Sequence, residues 1–379
     1  MSDKKKQIKE GLTKLVIPKD FLKKKHFFNP KVQLSRDFTV LVLNTLDAKG
    51  WIVCDALAGI GARGVRIARE CRVKKVWLND ASEDNIEFMK ENTNLNSLVK
   101  RIKITNKDAN QLLSEQPRVF DYIDIDPWGS PAYYFDSATR AIKRKGYVGF
   151  SATDTAALSG TSPITCLRRY GIESYKTDFF KELALRILIT SAALSFSKCS
   201  FSFKPLLSYV SEHYFRVFGE VKKGRSMANK NLKENLGYVN FCPNCLWRKI
   251  SKPITKCEFC GSENKIIGKV WTGQIEDLKF IEECEKKLSE IDWLKTEKNI
   301  RKILFLLKNE KLPFYYNIHK LCQKHKLRIP KTMDLLLELR KNGHFSERTH
   351  FCEEGIKTDA QLKDLINLIK SVSIKIVCN

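Results

Sequence analysis

Between Trp51 and Ser151 the chain alternates short β-rich runs with helical stretches, and this rhythm restricts the fold more than any other feature. The runs WIVCD, KKVWLND, RIKITNKD, DYIDID and YVGFSATD each end on an acid or reach one within a few residues. Strands joined through helices run parallel, so the pattern predicts an α/β sheet whose carboxyl strand ends gather polar groups, where open sheets bind ligands. After a helix around Ala184–Ser195, the runs SFSFKPLLSYVSE and HYFRVFGEV are expected to pair antiparallel at the sheet edge. The most apolar stretch, Leu183–Phe196, is too short for a membrane span and has Arg186 in its middle, so it reads as a buried helix. The start, MSDKKKQIKE, is basic with no apolar run behind it, which argues against a secretory signal and for a cytoplasmic protein.

The first strand leads into CDALAGIGARGVRIARE, which places Gly59, Gly61 and Gly64 between a strand and a helix. Glycines there admit a ligand close to the backbone, and the helix amino terminus favours its polar groups. Asp80, at the end of the next strand, stands where a ribose needs an acceptor. Nicotinamide dinucleotides and S-adenosylmethionine both use this geometry, and the later strands decide between them. In NKDAN, Asp108 offers a carboxylate to an adenine amine and Ala109 its backbone to the ring. The fourth strand ends in DPWGSP, for which a dehydrogenase has no use. S-adenosylmethionine is therefore the expected cofactor.

DPWGSP suits transfer to an exocyclic base amine. Such an amine is a poor nucleophile because its lone pair is delocalised into the ring. A carboxylate and a neighbouring carbonyl that accept its hydrogens aim the lone pair at the methyl group and take up the released proton. Asp126 supplies the carboxylate, and Pro127 brings no competing N–H and makes the turn rigid. Trp128 offers a face on which a base stacks once it has left its helix.

Lys and Arg number 68 against 43 Asp and Glu, a net charge of +25 that favours a polyanionic partner, nucleic acid first. From Lys222 to Lys269 there are eleven Lys/Arg against three Asp/Glu. Inside that window Cys242, Cys245, Cys257 and Cys260 form two C-x-x-C pairs eleven residues apart, while the other eight cysteines are scattered. Two such knuckles close a tetrahedral zinc site with no open position, so the metal is expected to be structural and to present Lys249, Lys252 and Lys256 to RNA. PFYYNIHKLCQKHKLRIPKTMDLLLELRKNGH reads as two helices joined by a turn, in a small helical, winged-helix-like α+β domain.

DPWGSP, with EGLTKLVIP, HFFNPKVQLSRD, ATDTAALSG, CLRRYG and EHYFRVF in that company, resembles the tRNA guanine N2-dimethyltransferases that modify guanosine 26. The resemblance runs from about Glu10 through the C-terminal domain. It implies a class I methyltransferase, Rossmann-like sheet over 1–275, with a zinc-knuckle insertion at about 238–271, and a tRNA-binding domain over 276–379. It further implies that Arg36 holds the methionine carboxylate with help from Arg63, that Asp80 binds the ribose, and that Asp108 and Ala109 meet the adenine. Phe27 would face Trp128 across a flipped guanine. The chain has Trp128 where Phe is usual and FFNP where FYNP is usual, and both keep a stacking face. Two other readings compete: a zinc-knuckle and winged-helix nucleic-acid binder with an inactive core, and a DNA amino-methyltransferase, which more often shows D/N-P-P-aromatic. Asp154 reads equally as a functional acid or a turn cap. No membrane or protein partner is implied.

Overall fold

The computed structural model of the chain describes residues 5–19, 28–211 and 214–375. It opens with a hairpin, β1 (Lys5–Glu10) and β2 (Thr13–Pro18), followed by helix α1 (Gln33–Thr45). Helix α3 (Glu83–Leu95) and the residue after it complete the free edge of β2 with side-chain amides. The backbone N–H of Val16 donates to Asn92 at 2.6 Å, and Asn96 exchanges bonds of 3.1 and 2.7 Å with Lys14.

The central sheet has seven strands. β3 (Ile52–Asp55), β4 (Lys75–Asn79), β5 (Ile102–Thr105), β6 (Phe120–Ile125) and β7 (Ile142–Ala152) are parallel. β8 (Phe201–Ser211) and β9 (Tyr214–Lys223) close one edge antiparallel. The spatial order β5-β4-β3-β6-β7-β9-β8 reverses between β3 and β6, and a crevice opens at such a switch. Helices α2 (Ala62–Glu70), α4 (Ala109–Glu115), α5 (Phe135–Ala141), the short α6 (Thr155–Leu158), α7 (Pro163–Tyr170) and α8 (Phe180–Lys198) complete this part. The core has two halves, one uniting α1, α2 and α3 with Val53, Val76 and Leu78, the other uniting α4, α5 and α8 with Ile123, Val148 and Phe150. α8 is the expected buried helix. Arg186 in its middle pairs with Glu182 at 2.8 Å and donates to the carbonyls of Trp271 and Gly273.

After α9 (Arg225–Asn235) comes a small antiparallel sheet of β10 (Leu236–Phe241), β11 (Arg248–Ile250) and β12 (Lys265–Trp271), in which Leu236 pairs with Trp271. Helices α10 (Leu278–Glu290) and α11 (Lys298–Asn309) pack back onto α1. The remaining chain forms β13 (Tyr316–Asn317), α12 (Ile318–Lys324), α13 (Thr332–Lys341), β14 (Ser346–Arg348), β15 (Gly355–Thr358) and α14 (Leu362–Lys375). Its strands run in the order β13-β15-β14. This last unit joins the half-core of α8, whereas α10 and α11 join that of α1. Among the described residues no helix is long and apolar enough to cross a membrane.

Candidate active site

Alternation along β6 puts Tyr122, Asp124 and Asp126 toward one side of the strand. Asp124 is fully buried and accepts from the Tyr122 hydroxyl at 2.5 Å and from Arg216 of β9. Burial pushes the Asp124 carboxyl up, yet the guanidiniums of Arg216 and Arg63 hold it below the usual carboxylate range. Neighbouring Asp55 is driven the other way, by burial and then by Asp124 itself. Arg63, from the first turn of α2, is buried beneath the cleft. It meets Asp124 at 3.2 Å, donates to Thr39 Oγ1 at 2.7 Å, and pairs with Asp126. Asp126 is thus held by a clamped cation. A carboxylate bonded to one guanidinium keeps further acceptor capacity for a substrate N–H.

Gly61 caps α2 in the left-handed region, φ +83°, which a β-carbon disfavours. Asp80 Oδ2 accepts from the N–H of Gly59 at 2.8 Å, and Oδ1 accepts from the N–H of Ser82 at 2.9 Å. The carboxylate therefore braces the glycine loop as well as standing at the strand end. Asp108 caps α4 through the N–H of Gln111 at 3.1 Å, and Ala109 is the first residue of that helix. Asp80 and Asp108 both act on the half-buried Tyr134, whose hydroxyl is raised by burial first and then by these two charges. Arg36 is neither solvent-facing nor unpaired. Glu10 grips it at 2.7 and 2.6 Å, and its side chain lies over Phe28. Arg36, Arg63, Asp55, Ala58 and Asp126 line one cavity with Phe28. Acceptors for hydroxyl and amine hydrogens lie along the strand ends and cations line the cavity, a donor set that fits S-adenosylmethionine.

Pro127 is buried and Trp128 is exposed beside it. The turn is tied to the next strand end by the N–H of Gly129 donating to Thr153 Oγ1 at 2.7 Å and the N–H of Thr153 donating back to Gly129 O at 2.9 Å. Asp154 makes no cap bond to α6 with its side chain, so the turn-cap reading is corrected. It accepts from Arg169 at 2.9 Å and from the Tyr170 hydroxyl at 2.6 Å, holding α7 against the site. Phe27 lies outside the described residues. Asp124, Arg216 and Glu10 escaped the sequence reading. Only the period of two in DYIDID marked Asp124, and nothing local marked the others.

The four paired cysteines converge. Their sulfurs lie within 4.8 Å of one another, with Cys242–Cys260 and Cys245–Cys257 each at 3.5 Å. A tetrahedron with Zn–S bonds of about 2.3 Å has edges of about 3.8 Å, so the donor set fits zinc and is full. Lys252 and Lys256 are exposed, while Lys249 is exposed but paired with Glu258 at 2.9 Å. A larger cavity, about 600 Å³, lies between this knuckle and the last unit and is lined by Trp247, Phe259, Tyr316 and Lys363. It shares no residue with the strand-end cleft, where the acids and arginines converge.

A family model described as "N2,N2-dimethylguanosine tRNA methyltransferase" matches residues 5–370. The chain belongs to that family. It is 37% identical to the tRNA (guanine(26)-N(2))-dimethyltransferase of Methanobrevibacter smithii, over 97% of this chain and 98% of that protein. The like-named protein of Pyrococcus abyssi is 34% identical over 96% and 98%. The solved structure of Trm1 from Pyrococcus horikoshii with S-adenosyl-L-methionine superposes with a TM-score of 0.89 at 34% identity, covering 96% of this chain and all of that one. Membership in the dimethylguanosine methyltransferase family agrees with the resemblance read from DPWGSP and sets aside the DNA methyltransferase alternative. In this member of the family the residue after the proline is Trp128, and it is exposed.

Proposed function

We propose that the chain transfers methyl groups from S-adenosylmethionine to the N2 amine of guanosine 26 of tRNA, giving N2-methyl- and N2,N2-dimethylguanosine. The observation behind this is Asp126-Pro127-Trp128 at the sheet's switch point, in a chain that matches the family over nearly its whole length. The cofactor, when bound, supplies an electrophilic methyl group on a sulfonium. Gly59 and Gly61 let it approach the backbone, Asp80 accepts from its ribose, and Asp108 with Ala109 meets its adenine. Arg36 and Arg63 face its carboxylate, Arg36 being fixed by Glu10.

Asp126 accepts one N–H of the guanine amine and localises the lone pair. As the N–C bond forms, the methyl–sulfur bond would break with its electron pair left on sulfur as a neutral thioether, and the amine hydrogen, made acidic, would pass to that carboxylate, whose position Arg63 fixes. Pro127 leaves the backbone carbonyl of the turn without a competing donor at its own nitrogen. Trp128 stacks the base, with Phe27 as the opposite face. The cysteines hold zinc as a structural ion, and residues 276–379, including a winged-helix-like unit from β13 to α14, serve as the tRNA-binding domain.

The test is methyl transfer from labelled S-adenosylmethionine to bulk tRNA, with nucleoside analysis and a transcript carrying adenosine at position 26 as control. Label in both methylated guanosines, absent from the control, is the expected result. Tight cofactor binding without transfer would sink the reading, and absence of cofactor binding would restore the inactive-core binder.

A further inference from the structure

Among the described residues the two large hydrophobic side chains most exposed to solvent are Trp128, at 72%, and Ile164, at 69%. Trp128 has a role as a stacking face. Ile164 has none in the site described above. It lies on α7, and Ile164, Leu167 and Arg168, spaced i, i+3 and i+4, share the outer face of that helix, whereas Cys166 and Tyr170 are buried beneath. A surface helix ordinarily turns its polar side outward, and this one turns outward two aliphatic residues beside an arginine.

The helix is fixed to the catalytic turn. Asp154 binds both Arg169 and Tyr170. The helix also packs against Pro131–Tyr134, with Ser130 acting on Tyr170 and Tyr133 on Arg169, so α7 lies against the segment that begins with Asp126. Tyr133 is itself 56% exposed. Eight residues of helix span about 12 Å, so Ile164 is carried rigidly within a few base-stacking distances of that anchor.

A guanine whose amine must reach Asp126 has left its stack, and the bases on either side lose a neighbour. Proteins that open a nucleic-acid stack present apolar side chains to the gap and cations to the adjoining phosphates. We propose that the outer face of α7 docks on the tRNA beside the target, with Ile164 and Leu167 packed against the bases uncovered by the departing guanine and Arg168 on a flanking phosphate. The arginine and the chain's overall positive charge favour RNA over a second protein copy as the occupant. The proposal rests on the functional reading above.

The experiment compares wild type with the double variant Ile164→Ala/Leu167→Ala and with Ile164→Leu, using tRNA with 2-aminopurine next to position 26. Turnover by the wild type measures the functional reading, and the ratio of variant to wild type measures this one. The double variant should lose at least about tenfold in kcat/KM for tRNA and lose the fluorescence rise that reports an opened stack. Cofactor affinity and melting temperature should stay unchanged, because both side chains face solvent, and Ile164→Leu should keep wild-type activity. Turnover within about twofold of wild type with the same fluorescence rise would overturn the proposal. So would an equal loss of cofactor affinity, which marks a structural role, or a dimer in the wild type that the double variant breaks, which assigns the face to a second copy.

Discussion

Arg63 meets Asp124, Asp126, Thr39 and Ser35 at once, so the position of Asp126, the carboxylate proposed as catalytic, is set from below rather than by the turn alone. Removing that carboxylate leaves the clamp in place, since Arg63 keeps Asp124. Asp126→Ala should therefore bind S-adenosylmethionine nearly as wild type does while methyl transfer falls by at least about a hundredfold. A titration alongside a labelled-methyl assay checks both halves, and equal losses in the two would refute the role. In its proposed stacking role Trp128 bears on the product. The monomethylated amine keeps one hydrogen for Asp126, so a second transfer needs a fresh molecule of S-adenosylmethionine and a base that stays held while the cofactor is exchanged, and each base–aromatic contact is worth about 1–3 kcal/mol. Trp128→Ala should shift the mixture toward N2-methylguanosine as well as slow it, read by digesting tRNA and following both nucleosides over time. If both steps slow in equal proportion, stacking does not retain the base. Asp80, Asp108 and Asp126 were legible as acids that end or follow a strand. The pairings beneath them were not, because Arg216 lies 92 residues from Asp124 and Glu10 lies 26 from Arg36, and no local pattern specifies such pairings.

Helix α2 lies so close to β4 that a β-carbon on Gly64 would sit 2.0 Å from Leu78 Cδ2 and 3.3 Å from Val76 Cγ1. Leu78 is fully buried and has little room to yield. Gly64→Ala should thus cost about 1–3 kcal/mol and weaken cofactor binding by shifting the loop. A lower denaturant midpoint at unchanged slope would show it, and an unchanged midpoint would contradict the close packing. In the knuckle, Cys257→Ser or chelation should loosen β10–β12 and weaken tRNA binding without abolishing cofactor binding, because the four cysteines lie outside the main sheet. A metal-free preparation with unchanged stability and tRNA affinity would remove the zinc assignment. The main strands could be read from the sequence because each is a short apolar run bounded by a turn. The hairpin β1–β2 was missed because four of the six residues of β1 are charged and the edge of β2 is satisfied by Asn92 and Asn96 from a distant segment. β13, β14 and β15 have two to four residues each, too few for any period to show.

Across the whole molecule, the catalytic sheet and the last unit meet over buried charges. Lys357 lies 3.3 Å from Glu182 and 3.1 Å from Glu310, and His350 lies 2.7 Å from Glu310. Burial opposes the charge on Glu310, but His350 and Lys357 bring its carboxyl down to about 2, so its stabilisation is present above pH 4.5 and is lost on acidification. Glu276 behaves oppositely. Burial lifts it to about 8, against the pull of Lys357 and with the push of Glu310, so folding retains a proton that the unfolded chain releases. Stability should therefore fall as pH rises from 4.5 to about 8. Glu276→Gln should make this descent shallower while leaving the acid limb unchanged. Asp55, raised in the same direction, keeps the descent from vanishing. Melting temperatures across that pH range check the claim, and parallel curves for the two proteins would refute it. The pairing of Leu236 with Trp271 has a different kind of consequence. A segment that leaves and re-enters the chain at one point adds no crossing to the path around it, so the thirty-odd residues between are topologically a side branch. Such a branch can be lengthened, shortened or exchanged over evolutionary time while the strand order of the enzyme stays untouched.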